Sequence, residues 1–241
     1  VFSGCKCITS VSIPSTIDYF GDYAFEGCDN LTTVDISGLD VGLGAFQDCS
    51  NLTTATIDCQ TIGDEAFSGC NKLNDITLNN VSHIRSGAFR RCTALETISL
   101  DGVSNIGASA FTGCTALKEM SFKNVVEIGD NAFYGCTALT KALFNSVVVI
   151  ANHAFDGCTS LGEISLNDVT VIGDYAFRNC QLEGVLDLSS EKYSSLSIGD
   201  RAFSGNFITE VNINCQKIDC PFSGNPLKKG ILGPNVVGGG T

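Results

Sequence analysis

The sequence predicts an α/β repeat solenoid, with a parallel β-sheet on one face and short helical or 3-10 turns on the other. Two observations carry that prediction. One unit of about 22 residues recurs along nearly the whole chain, and within each unit the hydrophobic pattern changes from strict alternation to a single tight turn. Composition agrees: of 241 residues, 44% are hydrophobic and 17% charged, the balance of a packed chain.

The repeat is marked by the doublet Ala-Phe, at Ala24-Phe25, Ala45-Phe46, Ala66-Phe67, Ala88-Phe89, Ala110-Phe111, Ala132-Phe133, Ala154-Phe155, Ala176-Phe177 and Ala202-Phe203. The steps are 21, 21, 22, 22, 22, 22, 22 and 26 residues. Degenerate copies, Val1-Phe2 and Pro221-Phe222, flank the set. A cysteine follows the Phe by three residues at Cys28, Cys49, Cys70, Cys92, Cys114, Cys136, Cys158 and Cys180.

Each unit divides in two. In Leu95-Glu96-Thr97-Ile98-Ser99-Leu100, Ile98 and Leu100 alternate with polar neighbours, as in a half-buried strand. In Ile128-Gly129-Asp130-Asn131-Ala132-Phe133-Tyr134-Gly135, Asp130 is placed to cap one helical turn and Gly135 suits a left-handed exit from it. So short a strand and turn cannot close a core, and neighbouring units must stack. About ten rungs at ~4.8 Å each give a sheet roughly 45–50 Å long. The Phe, the Cys, the next Leu (Leu31, Leu52, Leu73, Leu95, Leu117, Leu139, Leu161), the strand pair and the Ile before Gly (Ile62, Ile106, Ile128, Ile172, Ile198) are expected inside. Residues 1–224 read as the solenoid, with repeats of 21–26 residues, and 225–241 as a C-terminal cap and Gly-Pro-rich tail.

The unit Ile106–Val125, IGASAFTGCTALKEMSFKNV, and the stretch from Ser12-Ile13-Pro14 through Gly21-Asp22-Tyr23-Ala24-Phe25 resemble the BspA-like, or Treponema-type, leucine-rich repeat. The resemblance covers about Phe2 to Phe222. Most later units lack the Pro, Asn206 stands where a ninth cysteine would, and Cys59 and Cys215 fill a column otherwise held by Val. It implies a leucine-rich-repeat right-handed superhelix. Members are surface or secreted proteins implicated in adhesion, so it also implies a cell-surface or extracellular place and a partner that is a host or microbial surface protein, a matrix protein or a glycan. That is analogy between folds.

Chemistry is sparse. The only histidines, His83 and His153, fall in different columns three rungs apart, and no phosphate loop, dinucleotide fingerprint or nucleophile elbow occurs. No enzyme activity, metal or cofactor is expected. The Asp column (Asp22, Asp64, Asp130, Asp174, Asp200) reads as N-caps rather than calcium ligands. Cysteines on adjacent rungs have parallel Cα–Cβ vectors, poorly set for disulfides, so the column reads as buried free thiols. A net charge of −12 argues against nucleic acid and anionic membrane surfaces, and no apolar run is long enough to span a bilayer.

If the invariant columns build the stack, binding belongs to the columns that vary. Two face outward on the sheet, and their central members Thr97, Ser99, Glu119, Ser121, Lys141, Leu143, Glu163 and Ser165 form the candidate binding face. Without aromatic anchors, it suits weak multivalent contacts. Arg85, Arg90 and Arg91 form a basic cluster, and 189–195 is an insertion expected to bulge. Asn30, Asn51 and Asn80 lie in Asn-x-Ser/Thr sequons. No signal peptide is visible. Val1–Cys5 reads as the tail of a repeat, so further chain is expected upstream, and the uncapped N-terminal end is expected to favour end-to-end self-association.

Overall fold

A computed structural model describes residues 2–17 and 21–238. The chain winds as a parallel solenoid whose rungs keep strict register. On one side run the longer strands. Ser10–Ile13, Thr33–Ser37, Thr54–Asp58 and Asp75–Asn79 form one sheet, and Glu119–Phe122, Lys141–Phe144 and Glu163–Leu166 a second. Glu183–Leu188, Phe207–Ile213 and Lys229–Leu232 form a third, with a bulge between Gly184 and Val185. A separate ribbon of two-residue strands runs from Thr61–Ile62 to Val237–Gly238, and Val41 extends it by one bridge to Ile62. In it Ile62, Ile84, Ile106, Ile128, Ile150, Ile172, Ile198 and Ile218 pair in sequence. This ribbon was not foreseen, because two residues are too few to show a period.

Two expectations about local structure need correcting. The stretch Leu95–Leu100 is not a ladder-bonded strand: the first sheet ends at Asn79 and the second begins at Glu119. The turn face is also not helical. Among the described residues the one helical element is the 3-10 turn Glu191–Tyr193, inside the insertion.

Backbone hydrogen bonding gives the reason for the second. In a helix every N–H bonds within the helix. Here the N–H groups of Ala110, Thr112 and Cys114 bond three residues back, at 3.1–3.3 Å, while those of Ser109, Phe111 and Gly113 bond to carbonyls of the next rung at 2.7–2.8 Å. The alternation requires a left-handed residue before the Ala and another before the Cys. Ser109 (φ +58°), His153 (+55°), Tyr175 (+58°) and Arg201 (+50°) hold the first position, and Gly135 (+69°) holds the second as foreseen. The glycine after the Ile answers a different need. A Cβ on Gly129 would lie 2.7 Å from the Ala108 nitrogen, so two backbones meet there too closely for any side chain.

The Asp column is likewise reassigned. Asp22, Asp64, Asp130 and Asp174 do not cap their own turn; each Oδ1 accepts the N–H of the equivalent residue one rung on, Leu43, Ser86, Asn152 and Asp200, at 2.7–3.2 Å. Asn152 does the same for Asp174 at 2.8 Å. The column stitches rung to rung.

The core matches its expected columns. Phenylalanine rings stack without interruption from Phe2 to Phe222, consecutive centroids 5.0–5.6 Å apart and planes within 15°. The 26-residue step from Phe177 to Phe203 keeps a 5.4 Å spacing. The insertion therefore loops outside the stack, pinned by the buried Tyr193. Each cysteine of the column donates its thiol to the Phe carbonyl of the preceding rung, Cys49 to Phe25, Cys114 to Phe89 and Cys158 to Phe133 at 3.1 Å. Burial pushes these thiols up from their ordinary value near 9, Cys49 to about 12 and Cys70, Cys92 and Cys114 well above it. Cys7 and Cys220 are exposed.

Asn206 is a functional replacement rather than a defect. Its Nδ2 donates to the carbonyls of Phe177 (2.8 Å) and Phe203 (2.9 Å), and its Oδ1 accepts the Leu182 N–H at 3.1 Å. Asn225 repeats the arrangement one rung later, to Phe203, Phe222 and Ile208. The segment read as a tail contributes another rung, since Lys229–Leu232 and Val237–Gly238 pair in both sheets. Residues 239–241 lie outside the described ones.

Candidate binding faces

The strand register brings most of the candidate residues together. Glu119, Lys141 and Glu163 lie side by side on consecutive strands, as do Ser121, Leu143 and Ser165. Lys141 Nζ meets Glu163 Oε1 at 2.5 Å, and that hydrogen bond, reinforced by the charges of Glu163 and Glu119, pulls the ammonium above its ordinary range. Leu143 is half-buried between two serines. Thr97 and Ser99 are exposed on the rung whose ladder is missing, so they border this panel rather than continue it.

Each edge of the three-stranded panel opens into a hollow where the ladder lapses. At the leading edge, Lys118 N–H still reaches Glu96 O at 3.1 Å, but beyond it the rungs splay. A cavity of about 260 Å³ opens there, lined by Ile98, Ser99, Glu119, Ser121, Lys141 and Leu143. A smaller one of about 160 Å³ lies at the trailing edge, beside Glu163, Ile164, Val185 and Ile208. On the same strand, Ser165 Oγ is buried without a hydrogen-bond partner. Unpaired backbone and an unsatisfied hydroxyl offer hydrogen bonds, and Leu143 offers apolar contact.

A second cluster sits on the turn face, and column-by-column reading of the strands missed it. Asp156, its side chain 2% exposed, accepts two bonds from Arg178 at 3.0 and 2.6 Å and contacts His153 Nδ1 at 2.9 Å. The His153 ring stacks on Tyr175 at 4.8 Å, the Arg178 guanidinium lies 4.8 Å from the Tyr175 centroid, and Arg201 donates to the Tyr175 hydroxyl at 2.9 Å. These contacts raise the Arg178 pKa, chiefly through its hydrogen bonds to Asp156. The signal was available: Asn131, His153, Tyr175 and Arg201 all hold the position before the Ala-Phe doublet.

Other sequence candidates come apart. Arg85 lines a shallow hollow with Asp40 and Asp64, whereas Arg90 and Arg91 lie on the turn. His83 Nδ1 pairs with Ser82 Oγ at 2.8 Å on the short-strand ribbon, far along the chain from His153 on the turn. Asn30, Asn51 and Asn80 each donate to the preceding rung, to Lys6, Asp29 and Asp58. Among the described residues no group of three or more His, Cys, Asp or Glu is placed to hold a metal, and no helix is long and apolar enough to cross a membrane.

Comparison with known proteins places this geometry. The model of the BspA type leucine rich repeat region matches in six copies, over residues 1–102 and 82–206. No curated protein matches the chain. Among solved structures, the leucine rich repeat protein of T. pallidum is 28% identical, covering 71% of this chain and 76% of its own, with a TM-score of 0.58. A leucine-rich repeat protein of Bacteroides ovatus is 21% identical over 95% of this chain and 70% of its own, TM-score 0.54. The pneumococcal vaccine antigen PcpA is 20% identical over 97% and 69%, TM-score 0.52. The last two are similar in fold. The family model spans most of the chain and its unit is the Phe- and Cys-marked rung described above: the chain belongs to the BspA-type leucine-rich-repeat family.

Proposed function

We propose that this chain is a non-enzymatic binding module of a cell-surface or secreted protein, recognising a host or microbial surface protein, a matrix protein or a glycan through its sheet face. The observation that carries it is the three-stranded panel flanked by two hollows. There Lys141 and Leu143 interrupt a polar Ser/Thr/acidic stripe, and the cavity of about 260 Å³ opens directly beside them. The remaining serines and glutamates supply complementarity rather than anchoring energy. The family membership and the pneumococcal antigen's shared fold support the surface setting. A panel of matrix proteins and glycans tests the reading. The double variant Lys141→Ser, Leu143→Ser is expected to weaken capture at least tenfold while leaving the melting midpoint unchanged. Unaltered capture by that variant refutes the sheet face.

A second reading, a spacer that projects another domain, is favoured by the unbroken ring stack, which makes the body a stiff rod. A spacer predicts no specific capture at all. End-to-end association remains part of the proposal, because the edge of a parallel sheet offers N–H and C=O groups that a second copy can pair with. Sedimentation at rising concentration checks it, and a strict monomer removes it.

A further inference from the structure

The turn face between Asp130 and Arg201 carries two adjacent columns with complementary chemistry. The first is Asp130, Asn152, Asp174 and Asp200. In its first three members one side-chain oxygen accepts a backbone N–H of the next rung, leaving the second oxygen of Asp130 and of Asp174 toward solvent. The second column, one residue on, is Asn131, His153, Tyr175 and Arg201, whose tips are donors: an amide, an imidazole, a phenol and a guanidinium. His153 and Tyr175 stand as parallel plates 4.8 Å apart, with Arg201 beyond them bonded to the phenol. The rungs of Asp130, Asp174 and Asp200 thus present a carboxylate oxygen beside a donor, while Asn152, its oxygen engaged, adds an amide N–H.

We propose that this face binds a neutral linear polysaccharide laid along the solenoid axis, one sugar per rung. Vicinal hydroxyls both donate and accept, and neighbouring columns of acceptors and donors are the arrangement they complement. The repeat agrees, since the rungs advance by 5.0–5.4 Å in this region, close to the length of a pyranose unit. Charge balance selects a neutral chain. Arg178 is neutralised by Asp156, Arg201 lies 3.9 Å from Asp200, and Asp130 and Asp174 add further negative charge, so an anionic polymer is repelled. Tyr134, 44% exposed at the edge of the cluster, offers an apolar ring to sugar C–H groups.

The site is already ordered. Arg178 is held at both ends of its fork by a carboxylate 2% exposed, and the Tyr175 ring is enclosed by His153, Arg178 and Arg201. Little side-chain freedom remains to be lost on binding. Individual contacts are weak, and successive rungs engaging successive sugars multiply them. The site lies on the turn, outside the strands of the panel around Lys141, and does not depend on it.

The test exploits a feature of the backbone. His153, Tyr175 and Arg201 have φ between +50° and +58°, and Gly44 and Gly87 occupy the same column in other rungs. Tyr175→Gly and Arg201→Gly therefore remove the comb at positions that favour glycine, and relief of the left-handed backbone is expected to offset the lost ring and guanidinium contacts, keeping both variants folded with melting midpoints close to that of the parent. Titration calorimetry of the full chain would use cellohexaose, xylohexaose, mannohexaose and chitohexaose, with oligogalacturonate and a glutamate-rich peptide as comparators. The expected result is binding of at least one neutral hexaose, weakened at least tenfold in each glycine variant and unchanged in Leu143→Ser. Binding of none of the four, binding of the oligogalacturonate or peptide alone, or equal binding by the glycine variants overturns the proposal.

Discussion

Truncating Phe133 to alanine removes a ring from the middle of the stack. Phe133 is fully buried, with Phe111 and Phe155 each stacked at 5.0 Å and Phe122 set edge-on at 5.4 Å. Truncation of a core Phe costs about 3–5 kcal/mol, and each lost ring pair is worth ~0.5–1.5 kcal/mol beyond area burial. With three pairs lost and rungs pinned by backbone bonds on both sides, the cavity cannot collapse, and a cost near about 5 kcal/mol is expected. The consequence is larger than the number. In a stack where each rung touches only its neighbours, weakening one interface uncouples the two halves. Urea unfolding followed by circular dichroism is expected to split into two transitions, and hydrogen exchange to accelerate first around residues 111–155. Phe2→Ala, in the same column but 45% exposed and stacked on Phe25 at 5.3 Å, is the internal control and should cost about 1 kcal/mol. A single transition for Phe133→Ala, shifted no more than that of Phe2→Ala, refutes the idea that the ring stack couples the rungs.

Burial and rung-to-rung hydrogen bonding fix four further outcomes. At pH 8 a thiol reagent should modify Cys7 and Cys220 promptly and leave the column cysteines untouched until denaturant is added; rapid modification of the column would show that it is not sealed. Because burial raises the folded pKa of Cys49 from near 9 to about 12, its stabilising contribution is complete below pH 9 and is lost as pH climbs toward 12. The unfolding midpoint should therefore fall over that window, and a flat profile between pH 8 and 11 contradicts it. Asn206→Ala strands the Leu182 N–H and the Phe177 carbonyl, while the Phe203 carbonyl keeps its bond from Asn225, and should cost about 2–4 kcal/mol by chemical denaturation, with Asn206→Cys intermediate because a thiol restores one bond. Asp130→Asn should be near neutral, since Asn152 already performs the same task, whereas Asp130→Ala should cost about 1 kcal/mol; equal losses for the two would mean that charge, not the hydrogen bond, matters there.

Much of this molecule was legible in the order of its residues. The Ala-Phe doublet, the cysteine three places later and the Ile before Gly mark the solenoid, its number of rungs and nearly every buried column, because stacking forces the same side chains inward at each turn. The lapses of the ladder beside Leu95–Leu100 and before Glu183 were not legible, since each strand reads as a strand by itself and pairing is decided by how neighbouring rungs splay. The absence of helices on the turn face was hidden for a related reason. Asp, Gly and Ala-Phe suit a capped helical turn locally, and only the competition for N–H groups between a residue three back and the next rung selects left-handed turns instead. That same choice brings His153, Tyr175, Arg178 and Arg201 together beside Asp156 from positions 3 to 45 residues away from it. Their meeting depends on through-space contact between rungs, which a one-dimensional pattern records only as a shared column.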